Sequence, residues 1–353
     1  MRNCIFFIGA GASVPFGVPT MTEMVQKFET WMKESHYALA YVVDEIKNKL
    51  SLYKHYDIEA LITVLQDIIN YEAISGTLLN NPSLHFFSPI ATKTFTESIN
   101  TLGKMYHNEA IQILNDVKKF ITEECEIKND PYELYTELFN TCLRRYDFVY
   151  KEALRQGNKN IENEIFTTNY DQVLEAYCSN LDIQCETGEQ KGKLDLNRQT
   201  SLLYQSTSHC IFKLHGSVNW YIDAHGNSRA SSEPIKIGAK TSLGHKVDKE
   251  FLLYPAYAKY TYREPFYSMF HHLKDRLSHC KMCCVIGYSF RDEDILGIFH
   301  DALMINKLLY LVIIDPQAGG IKANTFSIYN DRVHPISGYF DTGSINLIDN
   351  ISA

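Results

Sequence analysis

The stretch Asn3-Cys4-Ile5-Phe6-Phe7-Ile8-Gly9-Ala10-Gly11-Ala12-Ser13 decides the fold. A short, almost wholly apolar run breaks off into glycine and small residues, the pattern of a parallel strand buried on both faces that enters a tight turn. Runs of the same kind recur at Glu164–Thr168, Cys210–Leu214, Met282–Gly287 and Leu308–Ile314. Stretches with helical spacing separate them at Tyr170–Asn180, Pro265–Leu277 and Asp292–Asn306. Alternating β and α elements predict an α/β fold built on a doubly wound parallel sheet.

Two stretches interrupt that alternation. From Met21 to Lys159, segments such as YVVDEIKNKL, IEALITVLQDIINYEAI and AIQILNDVKKFITEE space apolar residues at helical intervals, which predicts a large helical insertion. Between Asp223 and Lys249 the chain is polar, contains glycine and has little periodicity, which predicts a small loop-rich module. The expected order is first strand and turn (1–20), helical insertion (21–159), core continued (160–222), loop-rich module (223–263) and core completed (264–353).

Composition narrows the class. The 353 residues are 45% apolar and 22% charged, with a formal charge of −8 and only 18 glycines and 10 prolines. This is a globular balance, long enough for about two domains or one α/β core with an insertion. No apolar stretch approaches the ~18 residues of a membrane helix. The run before Gly9 is too short for a signal-peptide core of about 7–15 residues. Nine cysteines without framework spacing favour reduced thiols and a cytoplasmic location. The negative balance offers no strong nucleic-acid signature.

Four segments place chemistry at strand ends, where open α/β sheets build their sites. Gly9-Ala10-Gly11-Ala12-Ser13, with Gly17-Val18-Pro19 behind it, suits either close backbone approach to a phosphate or an ordinary strand-to-helix turn. Phe166-Thr167-Thr168-Asn169-Tyr170-Asp171 ends a strand in polar groups, and either Thr168 or Asn169 has the alternative of capping the next helix. Phe212-Lys213-Leu214-His215-Gly216-Ser217 delivers an imidazole next to a glycine, a placement suited to acid–base work. In Gly287-Tyr288-Ser289-Phe290-Arg291-Asp292-Glu293-Asp294, Gly287 and Ser289 can line a cleft, while the acids also suit the first turn of any helix.

In this order, GAGAS with GVP, TTNYD, LHG and GYS before an acidic helix start, the segments resemble the sirtuin (silent information regulator) family of NAD-consuming enzymes. GYSFRDEDI looks like the sirtuin-like domains of bacterial anti-phage systems. The resemblance implies a Rossmann-like core over about half the chain and NAD as substrate. It implies that Gly9, Ala10, Gly11 and Ser13 bind the pyrophosphate and Thr168 lies in the cofactor site. It also implies that Asn169 contacts the nicotinamide ribose and helps position a water, Asp171 accepts from the nicotinamide carboxamide, His215 acts as general base, and Gly287, Ser289 and Asp315 hold the adenosine half.

Three departures from protein-deacylating sirtuins redirect the functional expectation. Val18-Pro19 leads into Thr20-Met21-Thr22 where those enzymes have Asp-Phe-Arg. Two zinc-binding cysteine pairs are expected after the histidine, yet the only C-x-x-C is Cys280–Cys283, so no zinc is expected. The helical insertion stands where a deacylase has a shorter segment. The expectation is therefore an NAD glycohydrolase that releases ADP-ribose and nicotinamide, with a role in antiviral defence by resemblance. An NAD-dependent protein deacylase and a non-catalytic NAD or ADP-ribose binding module are the alternatives. Because the chain closes on Ala353 soon after its last expected strand, restraint is expected from the helical insertion, a homo-oligomer or a separate subunit. The resemblance implies a HerA-like hexameric ATPase as that subunit.

Overall fold

The computed structural model describes residues 4–49, 56–70, 92–146, 163–180, 185–187, 189–190, 193–194, 209–253 and 264–351. The first run forms strand β1 (Cys4–Ile8), buried along its whole length. The later runs form β2 (Glu164–Thr167), β6 (His209–Lys213), β10 (Met282–Ile286) and β11 (Tyr310–Ile314). With β3 (Cys185–Glu186) and β12 (Val333–Ile336) they make a seven-stranded sheet ordered β12-β11-β10-β1-β2-β6-β3. Every neighbouring pair in it is parallel. The sheet is Rossmann-like and doubly wound, because the chain builds outward from β1 first towards β6 and then, through β10, towards β12.

Strand alternation sorts the core into two layers. On one face Ile5, Phe7, Phe166, Phe212, Val285 and Ile313 join α7 (Phe266–His279), α8 (Glu293–Ile305) and α9 (Ala318–Thr325) in one apolar cluster. On the other face Phe6 meets Phe139 of α5 (Tyr132–Tyr146) edge-on at 4.7 Å. With both faces covered, the strands are apolar along most of their length, and that is why they stood out. β12 did not stand out, because half-exposed His334 and Pro335 interrupt it. An edge strand tolerates both.

The stretch expected to be loop-rich carries strands. Between them β7 (Gly216–Asp223), β8 (Ser228–Ala230) and β9 (Val247–Leu252) pair antiparallel in a five-stranded sheet completed by β4 (Glu189–Gln190) and β5 (Lys193–Leu194). Its turn is local chemistry: the Asp223 carboxylate accepts from the His225 and Asn227 amides, each at 2.9 Å, and Gly226 supplies φ +80°. Bulges in the β7–β9 register hid the alternation from the sequence reading.

The chain divides into two compact units, one of residues 1–18, 125–253 and 260–353 and the other of residues 19–124 and 254–259. The second holds α1 (Met21–Ser35), α2 (Tyr37–Lys49), α3 (Ile58–Ile69) and α4 (Thr92–Glu124), the last broken at Tyr106. A capping box between Thr20 and Glu23 starts α1, and Phe28, Trp31 and Phe120 form an aromatic cluster within this unit. Of the expected helical insertion, residues 50–55, 71–91 and 147–159 lie outside the described residues. Among the described residues no helix is long and apolar enough to cross a membrane.

Candidate functional site

The order of the sheet reverses between β1 and β10, the place where open α/β folds leave a crevice at the carboxyl ends of their strands. Here the two strand ends are stitched together. Gly9 N–H donates to the Ile286 carbonyl and Gly11 N–H to the Gly287 carbonyl, both at 2.9 Å, while Gly287 N–H donates to Ile314 at 2.8 Å. The approach leaves no space for side chains. A Cβ on Gly9 would lie 2.5 Å from the Gly287 oxygen, and one on Gly287, whose φ is +61°, would lie 2.3 Å from the Ala12 nitrogen. These glycines serve the packing of one strand end against another.

The same stitching changes how the turn can meet an anion. Ala12 N–H donates to Gly9 at 3.0 Å and Ser13 N–H to Ala10 at 3.1 Å, so the amides of Gly9, Gly11, Ala12 and Ser13 are all engaged inside the protein. The amide of Ala10 is not among these donors.

Asn169 follows β2 and closes onto this turn. Its Nδ2 donates to the Gly9 carbonyl at 3.0 Å and to the Ser13 hydroxyl at 2.9 Å, which fixes the amide orientation and turns Oδ1 away from both. That Oδ1 is buried and accepts no hydrogen bond. Thr167, which the motif reading passed over, holds the residue in place: its hydroxyl donates to Ile8 O at 2.9 Å and accepts from Asn169 N–H at 3.0 Å. Neither Thr168 nor Asn169 caps a helix. The following helix, α6 (Val173–Asn180), begins later than its spacing indicated, and the Asp171 carboxylate accepts from Val173 N–H at 3.0 Å. The buried Lys213 ammonium donates to the Asp171 carbonyl and to Glu175 Oε1, the latter at 3.0 Å.

His215 stands between β6 and β7. The turn depends on Gly216, with φ +85° and a missing Cβ that would otherwise sit 2.4 Å from the Phe251 oxygen. The His215 carbonyl accepts from Leu253 N–H at 2.8 Å. Only 3% exposed, the residue lies with its ring near those of Tyr170 and Phe270, at 6.5 and 6.4 Å. The Asn169 and His215 segments are tied together, because the Tyr170 carbonyl accepts from Val218 N–H at 2.9 Å and from the Ser217 hydroxyl at 3.3 Å. His215 Nε2 lies 3.2 Å from Asp292 Oδ2 but is not aligned for a hydrogen bond, and it is buried without a partner.

The structure thus joins Gly9, Gly11, Ser13, Asn169 and Gly287 directly and places His215 against Asp292, which the motif reading had assigned to the helix start alone. Thr168 is half-buried and Ser289 exposed. Asp315 closes β11 and accepts from Gln317 N–H at 2.7 Å. Burial raises its carboxyl above the ordinary range, against that amide and the charge of Arg291.

Cys283 lies in β10 and Cys280 just before it, both fully buried, with the Cys280 thiol directed at the Leu277 carbonyl. Burial pushes both thiols well above their usual pKa. Among the described residues no three His, Cys, Asp or Glu side chains are grouped so as to hold a metal ion.

Comparison with protein families matches residues 163–326 to a model described as a SIR2-like domain. Comparison with curated protein sequences finds no significant match. Among solved structures, a Sir2 homologue in complex with NAD is 11% identical, with 98% of this chain and 88% of that one covered at a TM-score of 0.46. A mutant Sir2 homologue in complex with ADP-ribose is 10% identical, with 98% and 90% covered at 0.43. A structure titled for the mechanism and regulation of Sir2 enzymes is 14% identical, with 99% and 93% covered at 0.40. The match runs from the residue before β2 through α9 and takes in Asn169, Asp171, His215, Gly287 and Asp315, so these candidate residues lie within the stretch that is similar to that model.

Proposed function

We propose that this protein is an NAD glycohydrolase of sirtuin-like type, which converts NAD and water to ADP-ribose, nicotinamide and a proton. The observation that carries this reading is the pair of buried, unpartnered polar atoms on adjoining strand ends, Asn169 Oδ1 and His215 Nε2. Other buried polar atoms, such as Gln66 Oε1 and Asn219 Oδ1, share this state; what distinguishes these two is their place just after the adjoining strands β2 and β6, where a ligand supplying hydroxyl or water donors would satisfy both.

Asn169 Oδ1 accepts from the attacking water or a ribose hydroxyl, and its engaged Nδ2 keeps it from rotating away. As the bond from ribose C1′ to the pyridinium nitrogen breaks, its electron pair neutralises the departing nicotinamide. Water oxygen bonds to C1′, and His215 Nε2 takes the released proton and returns it to solvent. Asp171 receives the nicotinamide carboxamide. The pyrophosphate meets Ser13 and the Ala10 amide on the surface shaped by Gly9 and Gly11, with Thr168 alongside. Gly287, Ser289 and Asp315 face the adenosine half, where an acidic side chain suits a ribose hydroxyl.

Unrestrained NAD consumption would harm the cell that makes the protein. The reading therefore includes a cytoplasmic, antiviral effector restrained by self-association or by a HerA-like ATPase. Tyr37, Tyr41 and Met105 in the helical unit, 83%, 59% and 55% exposed, support an assembly role for that unit.

Incubating the purified chain with NAD, with and without an acetylated peptide, and quantifying nicotinamide and ADP-ribose tests the activity. Peptide-independent release of both products is expected. Release that requires the peptide would assign a deacylase, and binding without release would assign a sensing module. Light scattering at micromolar concentration tests assembly, and a monomer with full NADase activity would overturn that part.

A further inference from the structure

We propose that Asp292 is the positioning residue for His215, holding a negative charge beside the ring nitrogen that takes the proton; this rests on the NAD glycohydrolase reading above. Asp292 caps α8, and its Oδ1 accepts from Asp294 N–H at 3.0 Å and Ile295 N–H at 3.2 Å. Capping needs one oxygen, and asparagine or serine would supply it as well. The second oxygen, 3.2 Å from His215 Nε2, is therefore not explained by the cap.

The turn that delivers it is unusual. Gly287 has φ +61°, and Phe290 has φ +57°, a left-handed conformation that non-glycine residues rarely adopt. The Phe290 ring is held in that conformation by Tyr288, Phe299 and Phe326, with centroids at 5.0, 5.1 and 4.9 Å. The anchored bend precedes Asp292, the capping residue of α8, whose Oδ2 reaches His215.

The position of the charge defines its role. A carboxylate bonded behind the opposite ring nitrogen would act through the tautomer. Asp292 instead lies beside the unpaired Nε2, leaving that nitrogen free to accept a proton from water, and the charge then stabilises the imidazolium that forms. Tyr170 and Phe270, the rings nearest His215, carry no charge at neutral pH, and the Tyr170 hydroxyl donates to Leu253 O at 3.1 Å.

The test is a double-mutant cycle with Asp292→Asn and His215→Ala, in which asparagine preserves the cap and removes the charge. Asp292→Asn is expected to leave the melting temperature within about 2 °C and KM within about threefold, and to lower kcat about 10- to 100-fold, below the full contribution of an acid–base group. Added to His215→Ala it should lower kcat no further. An equal loss in both backgrounds, or an unchanged kcat, would overturn the proposal.

A second arm keeps this result separate from the fate of the parent reading. The 15N resonances of the His215 imidazole are recorded in the unaltered protein and in Asp292→Asn. A shift on charge removal is expected, and identical spectra would overturn the pairing. If the unaltered chain releases no nicotinamide while the resonances do shift, the glycohydrolase reading falls and the electrostatic pairing stands.

Discussion

Asn169 donates from Nδ2 to the Gly9 carbonyl oxygen across 3.0 Å, although 160 positions separate the two residues in the chain. One amide thereby joins the ends of β1 and β2 and leaves its own oxygen buried without a hydrogen-bond partner. Asn169→Ala is expected to lower NAD turnover about 10²–10⁴-fold and to reduce stability by about 1–3 kcal/mol, because the Gly9 carbonyl loses one of its two donors and the Ser13 hydroxyl loses the Asn169 amide. Product quantification and denaturant unfolding measure the two effects. Unchanged turnover in both Asn169→Ala and His215→Ala would remove the crevice from the reaction.

Two glycines should respond in opposite ways to alanine. At Gly287 a Cβ meets the Ala12 nitrogen at 2.3 Å with φ +61°, so Gly287→Ala is expected to destabilise by about 2–4 kcal/mol. Gly297 lies in α8 with nothing within 4 Å of its missing Cβ, and Gly297→Ala should stabilise by about 0.5–1 kcal/mol. Thermal melts of both variants check the contrast.

A buried ion pair sets an acid limit on stability. Glu164 at the start of β2 receives Arg276 Nε at 2.9 and 2.8 Å on its two oxygens, with His272 Nε2 at 3.3 Å. Burial by itself raises the carboxyl, but the His272 contact and the Arg276 charge outweigh it and leave the pKa below normal. A lowered folded pKa means the contribution is complete above the unfolded carboxylate value of about 4.3 and is lost as pH falls below it through the folded value. Glu164→Gln is expected to destabilise at neutral pH by about 3–5 kcal/mol, since Arg276 stays buried. It should also flatten the decline of stability below about pH 4, as the lost carboxylate no longer titrates. Urea unfolding from pH 3 to 7 provides the measurement.

None of the nine cysteines is joined in a disulfide, and Cys185 alone is not buried. Thiol titration of the native protein is expected to find at most one group reacting readily, and nine after denaturation. Metal analysis of untagged protein is expected to find no stoichiometric zinc. Zinc that vanishes with Cys283→Ser would reveal ligands outside the described residues.

The parallel sheet was legible because strands buried on both faces are largely apolar: β1, β10 and β11 are so along almost their whole length, and β2 and β6 keep an apolar centre between polar ends. β12 and the antiparallel sheet were not, since an edge strand admits His334 and Pro335 and bulges break the two-residue period. The candidate residues were legible where a polar residue stands two positions past a buried strand, as Asn169 and His215 do. Asp292 was hidden by its second occupation, because an acid at a helix start is accounted for by the helix alone. Thr167 was hidden inside the strand it ends. Use of the turn amides within the protein was equally illegible, since it depends on Gly287, remote in sequence.

The central strand is made before both of its partners. β1 is registered against Ile165 through Phe6 and against Cys284 through the same residue, so its two edges wait for partners that leave the ribosome long afterwards. Pairing of such sequence separation makes folding slow, and in the interval an apolar strand with two open edges is a template for association with other chains. A fragment confined to the family-matched region would have the converse defect, with β2 and β10 facing each other across the gap that β1 fills. Expression of the domain therefore depends on the residues that precede its recognisable part.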